Sequence, residues 1–293
     1  MNQRFGFLAQ RLANVPLAIH PRKAEIIAAA VADRLNIAVI HTARADDEDF
    51  DFTSPRRGRS RDGDADPGYD VLGGAALIKV VGTLVQKSGS VRPWSGMTGY
   101  DGLRQAFLTA MVDPAVQMVV FDIDSPGGEV SGCFDLVDTI YEARGQKPIA
   151  AVLNEFAFSA AYAIASAVDP GRIYVPRTGG TGSIGVIAMH VDWSEAIAKA
   201  GLKPTLITYG DKKADGRSEI PLSDSALADL QSDIDTLGVM FVETVARNRG
   251  LSVKAVRAMQ AATYLGAEGV RAGLADAVMA PSDAFRALLN ELG

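Results

Sequence analysis

From Ala75 onward, short apolar runs alternate with amphipathic stretches, and this pattern sets the expected architecture. "AALIKVVGTLV" reads as a strand carrying a turn-like "GT", and "YDGLRQAFLTAMVD" as a helix ended before Pro114. "VQMVVFDID" reads as a buried strand, followed by "SPGG" and a helix from about Val130 to Arg144. The strand "PIAAVL" and a second, Ala-rich helix come next. "RIYV", "VIAMHV" and "KPTLITY" read as further strands, with the helix "SEAIAKAG" between the last two. The remainder is helical, over Ser223–Arg249, Ser252–Ala261 and from about Ser282. Strands alternating with helices in this way predict an α/β domain with covered sheets. No internal repeat of 20–50 residues is visible.

The pattern changes toward the N-terminus. Residues 22–35, "RKAEIIAAAVADRL", have helical periodicity. Between Ala43 and Tyr69 the chain is mostly charge, Gly, Pro and Ser, a composition that buries too little apolar surface to offset its ordering entropy. The expected organisation is therefore an N-terminal helical element over 1–42, a charged flexible linker over 43–70, and one large domain over 71–293. The linker arginines Arg56, Arg57, Arg59 and Arg61 are flanked by acidic residues and read as solvated chain.

Composition narrows the function. The net charge of −6 argues against a general nucleic-acid-binding surface. A single cysteine, Cys133, excludes an intrachain disulfide and a cysteine-based metal site and fits a reducing compartment. The longest apolar stretch, "PIAAVLNEFAFSAAYAIASAV", is broken by Asn154, Glu155 and serines. It suits a strand and a buried helix better than a membrane span of about 20 apolar residues. The N-terminus lacks the continuous apolar core of a signal peptide, so a soluble, cytoplasmic protein is expected.

Two features carry candidate chemistry. The paired glycines Gly127 and Gly128 end a buried strand, where they allow positive φ and turn amide N–H groups toward a ligand. Amides so placed suit an oxyanion of acyl chemistry, although an ordinary tight turn would look the same. Ser159 falls after the next strand, where a helix is predicted to start. There it is either a small packed residue or a nucleophile beside unpaired helix amides.

A serine nucleophile needs a base. Of three histidines, His20 and His41 lie in or beside the N-terminal segment, and His190 falls within an expected strand. A Ser-His-Asp triad is therefore weakly supported, and a lysine is the alternative once an apolar site lowers its pKa. Lys212 and Lys213 in the loop after "TLITYG" are the candidates. Cys133 has no basic partner in its motif and reads as a packed small residue.

"DIDSPGG", "FSAAYAIAS", "TGSIGVI", "YGDKKADG" and "LGAEGVRAGLAD" occur in an order and spacing that resemble signal peptide peptidase A-like serine peptidases. The likeness runs from about Ala75 to Val278, and "RPWSGMTGYDG" makes it similar to the tailed-phage head-maturation protease branch. The resemblance implies a ClpP/crotonase-like fold of repeated ββα units with a helical C-terminal part. It places the nucleophile on Ser159, the general base on Lys213, and the oxyanion donors on backbone amides of Gly127, Gly128 and Ala160. It also gives Ser183 a supporting hydrogen bond to the lysine and leaves Lys212 a bystander.

No metal or organic cofactor is implied. The implied substrates or neighbours are scaffold, portal and capsid proteins within a procapsid in the host cytoplasm. A homo-oligomer is expected, without nucleic acid or membrane. Members of the branch often carry a C-terminal scaffolding segment, expected here as a separate protein or as a part removed by processing. Three rivals remain: a signal-peptide-peptidase-like protease, a crotonase-like acyl-CoA enzyme, and a capsid-assembly component with little proteolysis.

Overall fold

The computed structural model describes residues 16–20 and 66–293. The expected helix over 22–35 and nearly all of the linker lie outside these residues. Within them the chain forms one mixed sheet. β1 (Leu17–Ile19), β2 (Asp70–Leu72), β3 (Ala75–Val85) and β4 (Met97–Gly99) precede the helix α1 (Tyr100–Val112). β5 (Met118–Glu129), α2 (Cys133–Glu142), β6 (Ile149–Phe158) and α3 (Ala160–Ser166) follow. Then come β7 (Ile173–Val175), β8 (Gly180–Gly182), α4 (Ser194–Lys199), α5 (Asp224–Arg249) and α6 (Val253–Ala258). β9 (Thr263–Leu265), α7 (Ala267–Arg271), β10 (Ala277–Val278) and α8 (Pro281–Asn290) end the chain. The α/β alternation and the helical C-terminal part agree with the sequence reading.

The sheet runs β10-β7-β6-β5-β3-β2, parallel except for β2. Its central strands are apolar on both faces, as a parallel sheet with covered faces requires. One face packs Ile78, Val80, Phe121, Ile123 and Leu153 under α1, α2 and α3. The other packs Met118, Val120, Ala150 and Val152 against Ala284 and Leu288 of α8. The "GT" expected to turn is instead an irregularity inside β3, where the register to β5 shifts between Val81 and Thr83.

Two expected strands are corrected. "VIAMHV" contributes only an isolated bridge at Ile187, and "KPTLITY" has no regular structure and is exposed. Alternating apolar residues give strand propensity, but a strand needs a partner edge for its N–H and C=O groups, and among the described residues only Ile187 finds one, at Leu17.

The short helix α3 is buried along its whole length. Its C-terminal carbonyls, which have no intrahelical donors, are taken by one buried-facing arginine. Arg144 donates to the carbonyls of Ser166 at 2.9 Å and Ala167 at 2.9 Å and to that of Asn248 at 3.1 Å. Asn248 Nδ2 donates to Ser166 Oγ at 3.0 Å, and Tyr162 Oη donates to the Leu274 carbonyl at 2.9 Å. α3 is thus fixed from its far end, which holds Ser159, just before its first residue, in place against the sheet.

Candidate active site

β5 and β6 run side by side from Val119–Ile149 to Ser125–Ala157 and then part. β6 turns to pair with β8, with Phe158 opposite Gly182, while β5 continues beside β3, with Gly128 opposite Leu84. Ser159 lies at this divergence, between β6 and α3. The crevice beyond the carboxyl ends of parallel strands is where α/β sheets commonly place ligands.

Ser159 has φ 55° and ψ −122°, a backbone region that L-residues rarely occupy. Three contacts hold it there. Its N–H donates to the Gly182 carbonyl at 2.8 Å, its carbonyl accepts from Ala163 N at 2.9 Å, and its Oγ donates to the Gly185 carbonyl at 3.4 Å. The residue is fully buried. Ala160, also buried, opens α3, where a first-turn amide has no intrahelical acceptor.

Gly127 faces Ser159. A Cβ placed on it would sit 3.0 Å from Ser159 Cβ, 3.0 Å from the Phe158 carbonyl and 2.2 Å from the Ala18 carbonyl, and its φ is +99°. Gly128 runs against β3, where a Cβ would meet the Leu84 carbonyl at 1.8 Å. Both positions need glycine, one for its backbone angle and both for close approach. The Gly127 amide donates to Ser125 Oγ at 3.2 Å, and that hydroxyl donates to the Gly82 carbonyl at 2.6 Å.

The "TGSIG" segment forms the opposite wall. Ser183 is buried with φ 55°, and its N–H donates to the Ala262 carbonyl at 2.9 Å. The structure thus brings Gly127 and the Gly182–Gly185 segment up to Ser159, at the start of α3, while Gly128 packs on β3.

Lys213 lies exposed on a 3₁₀ turn, Asp211–Ala214, and among the described residues no hydrogen bond links it to Ser159 or Ser183. Its neighbour Lys212 is ion-paired with Asp229 of α5. The lysine that resemblance assigns as base is thus exposed, whereas Ser159 is buried.

Cys133 opens α2, fully buried, with its Sγ 3.8 Å from the Ala160 carbonyl. Burial pushes its thiol up to about 12, away from the reactive thiolate range. Iodoacetamide at pH 8 is expected to leave the native protein unmodified, as read by intact mass, and to alkylate it fully in guanidinium. Rapid native alkylation would contradict this.

Three contributors were missed by the sequence reading: Leu17–Ile19, Ile187 and Ser125. β1 pairs antiparallel with β5, with Leu17, Ala18 and Ile19 opposite Glu129, Gly128 and Gly127. His20, read as part of a separate N-terminal element, lies against Phe158 with ring centroids 5.0 Å apart and the planes tilted by 32°, and Phe158 in turn stacks on Phe156 at 5.0 Å. "PLAIH" gives no local sign of this pairing. For Ser125 a signal existed, the hydroxyl of "SPGG" itself.

The sequence profile of peptidase family S49 matches residues 142–292, and with the relatives described next it shows that the chain belongs to that family. It is 38% identical over 298 residues to the head-tail preconnector protein GP5 of Enterobacteria phage P21, covering 100% of this chain and 58% of that protein. It is 36% identical over 297 residues to the capsid assembly protease C of Escherichia phage lambda, covering 97% of this chain and 65% of that protein. The chain therefore spans about three-fifths of the length of these relatives. Among solved structures it aligns with a point mutant of ClpP1 from Listeria monocytogenes at 12% identity and TM-score 0.44, over 71% of this chain and 93% of that one. Among the described residues no helix is long and apolar enough to cross a membrane.

Proposed function

We propose that the protein is a serine endopeptidase that works with a Ser159–Lys213 dyad in the maturation of a phage procapsid. The observation that carries this reading is the strained backbone of Ser159, held at φ 55° against the glycine turn Gly127–Gly128. Strain at a buried hydroxyl persists only when surrounding contacts over-determine it, and such positions cluster at reacting groups.

In the proposed reaction, neutral Lys213 Nζ accepts the Ser159 Oγ proton as the oxygen bonds to the scissile carbonyl carbon. The resulting oxyanion accepts hydrogen bonds from the Ala160 amide and from an amide of the Gly127–Gly128 turn, each worth roughly 3–4 kcal/mol to the transition state. The lysinium returns the proton to the departing amine as the C–N bond breaks. Water, deprotonated by the same lysine, then releases the acyl group and restores Ser159. Ser183 holds the lysine in register.

A lysine exposed to water is a poor base, and burial is what lowers its pKa. Lys213 follows a segment whose apolar residues are exposed: Ile207 is 95% exposed and Tyr209 100%. A second copy packing on this segment would bury Lys213 and complete the site, which makes the active form a homo-oligomer. The similarity to phage capsid assembly proteins supports scaffold, portal and capsid proteins as substrates or neighbours, within the procapsid in the host cytoplasm.

A fluorophosphonate probe tests the nucleophile. One adduct per chain is expected, on the Ser159 peptide, forming faster as pH rises through the range where a lysine base loses its proton. An adduct elsewhere, or none in the assembled protein, would overturn the assignment. An acyl-CoA enzyme of related fold would form no such adduct.

A further inference from the structure

Ser159 is fully buried even though a peptide would have to reach it, and the chain's own residues lie in the way. β1 sits in the gap where β5 and β6 diverge and is bonded on both edges. On one edge Val130 N donates to the Pro16 carbonyl at 3.4 Å and His20 N donates to the Pro126 carbonyl at 2.8 Å. The alternation of an antiparallel ladder makes Ala18 and Gly128, midway between them, the hydrogen-bonded pair. On the other edge Leu17 N donates to the Ile187 carbonyl at 2.8 Å and Ile187 N donates back to the Leu17 carbonyl at 2.9 Å. An extended segment held in this way is the geometry of peptide capture by strand addition.

The register places this segment over the chemistry. Ile19 lies opposite Gly127, and the Ala18 carbonyl and Ser159 Cβ approach the same point on that glycine. His20 covers Phe158, the residue before Ser159. Leu17, Ala18 and Ile19 are all buried, so the groove accepts a short apolar strand with a small residue at its centre. At the Pro16 end a depression lined by Pro16, Val130, Phe134, Leu237 and Met240 continues beyond the strand.

We propose that Leu17–Ile19 is a built-in ligand of the peptide groove, seated where an extended substrate would pair with β5 and Ile187, and that it must leave before a substrate enters. What occupies the groove follows from the pairing alone. That its departure raises activity rests on the peptidase reading given above.

The test uses the full chain carrying Leu17→Pro, which deletes the N–H bonded to Ile187, and separately Ala18→Arg, which puts a charge at a fully buried position. The probe is a fluorescein-labelled peptide, NVPLAIHPR, copied from residues 14–22. By anisotropy, both variants are expected to bind it at least tenfold more tightly than the unaltered chain, whose groove is filled, while a scrambled peptide binds none of them. Fluorophosphonate labelling of Ser159 is expected to accelerate about tenfold in both variants and to be slowed again by the peptide. Circular dichroism confirms that each variant is folded, and the two substitutions guard against failure of either one.

Equal peptide binding by folded variants and the unaltered chain would overturn the proposal, whatever Ser159 does. Tighter peptide binding without any reaction at Ser159 would uphold the groove ligand and sink the peptidase reading instead.

Discussion

Replacing Ser159 by Ala and by Gly is expected to abolish cleavage equally and to change stability differently. Cleavage of a head-protein substrate should fall by roughly 10⁴-fold or more in each, because a nucleophile acts as a unit with its base and nothing else in the site can form the acyl bond. Stability should separate them. Alanine keeps the Cβ that makes φ 55°, ψ −122° costly, whereas glycine accepts that region freely. Strain of this kind is worth about 1–3 kcal/mol, and the extra freedom of glycine in the unfolded chain takes back about 1 kcal/mol.

The Ser159→Gly protein should therefore be about 1 kcal/mol more stable than the Ser159→Ala protein, a rise of roughly 2 °C in melting temperature for a domain of this size. Thermal melts of the two inactive proteins measure it. A glycine variant less stable than the alanine variant would mean that Ser159 stores no strain, and residual cleavage in either would move the nucleophile elsewhere.

That strain is partly legible in the sequence, for a reason that also marks where legibility ends. "FSAA" after an apolar strand places Ser159 at a strand-to-helix junction, and the junction is there, because the Ala-rich run that follows has high helix propensity. Features that depend on neighbours in sequence are recovered well. β3 has the bounds read from its apolar pattern, and α5 begins after Ser223, whose Oγ accepts from Ala226 N at 3.2 Å as an N-cap should.

Features that depend on distant partners are not. Leu17–Ile19 is three residues long, and its partner strand lies more than a hundred positions away, so no local period announces it. "KPTLITY" has the period of a strand and pairs with no strand among the described residues. The "SPGG" joint reads as the end of a strand. In the structure pairing continues through Glu129, because β3 lies on one side of Gly128 and β1 on the other.

The same limit governs Lys213, and it leads to the second large effect. Ser159→Ala and Lys213→Ala proteins are each expected to be inactive, yet a mixture made by co-expression should cleave substrate. If the base of each site comes from a neighbouring copy across a head-to-tail interface, random 1:1 assembly pairs an intact Ser159 with an intact Lys213 in about a quarter of sites. Activity near a quarter of the unaltered protein is then the expected reading, against essentially none for either parent.

The physical case is that one chain leaves Lys213 in water beside an apolar segment with Ile207 and Tyr209 uncovered, while Ser159 lies buried with its Oγ on the Gly185 carbonyl. On the proposed reading, Ser159 and Lys213 exchange a proton once an apolar contact encloses the lysine, and a second copy covering Ile207 and Tyr209 would supply that enclosure. Two further substitutions sharpen the test. Lys212→Ala should retain most activity, since Lys212 is engaged with Asp229 on the same protomer. Tyr209→Asp should lower both the activity and the mass of the assembly in solution, because a charge at the uncovered face opposes its burial. Full activity of Lys213→Ala would remove the lysine from the mechanism. Failure of the mixture to recover, with both parents inactive and assembled, would place the base within the same chain.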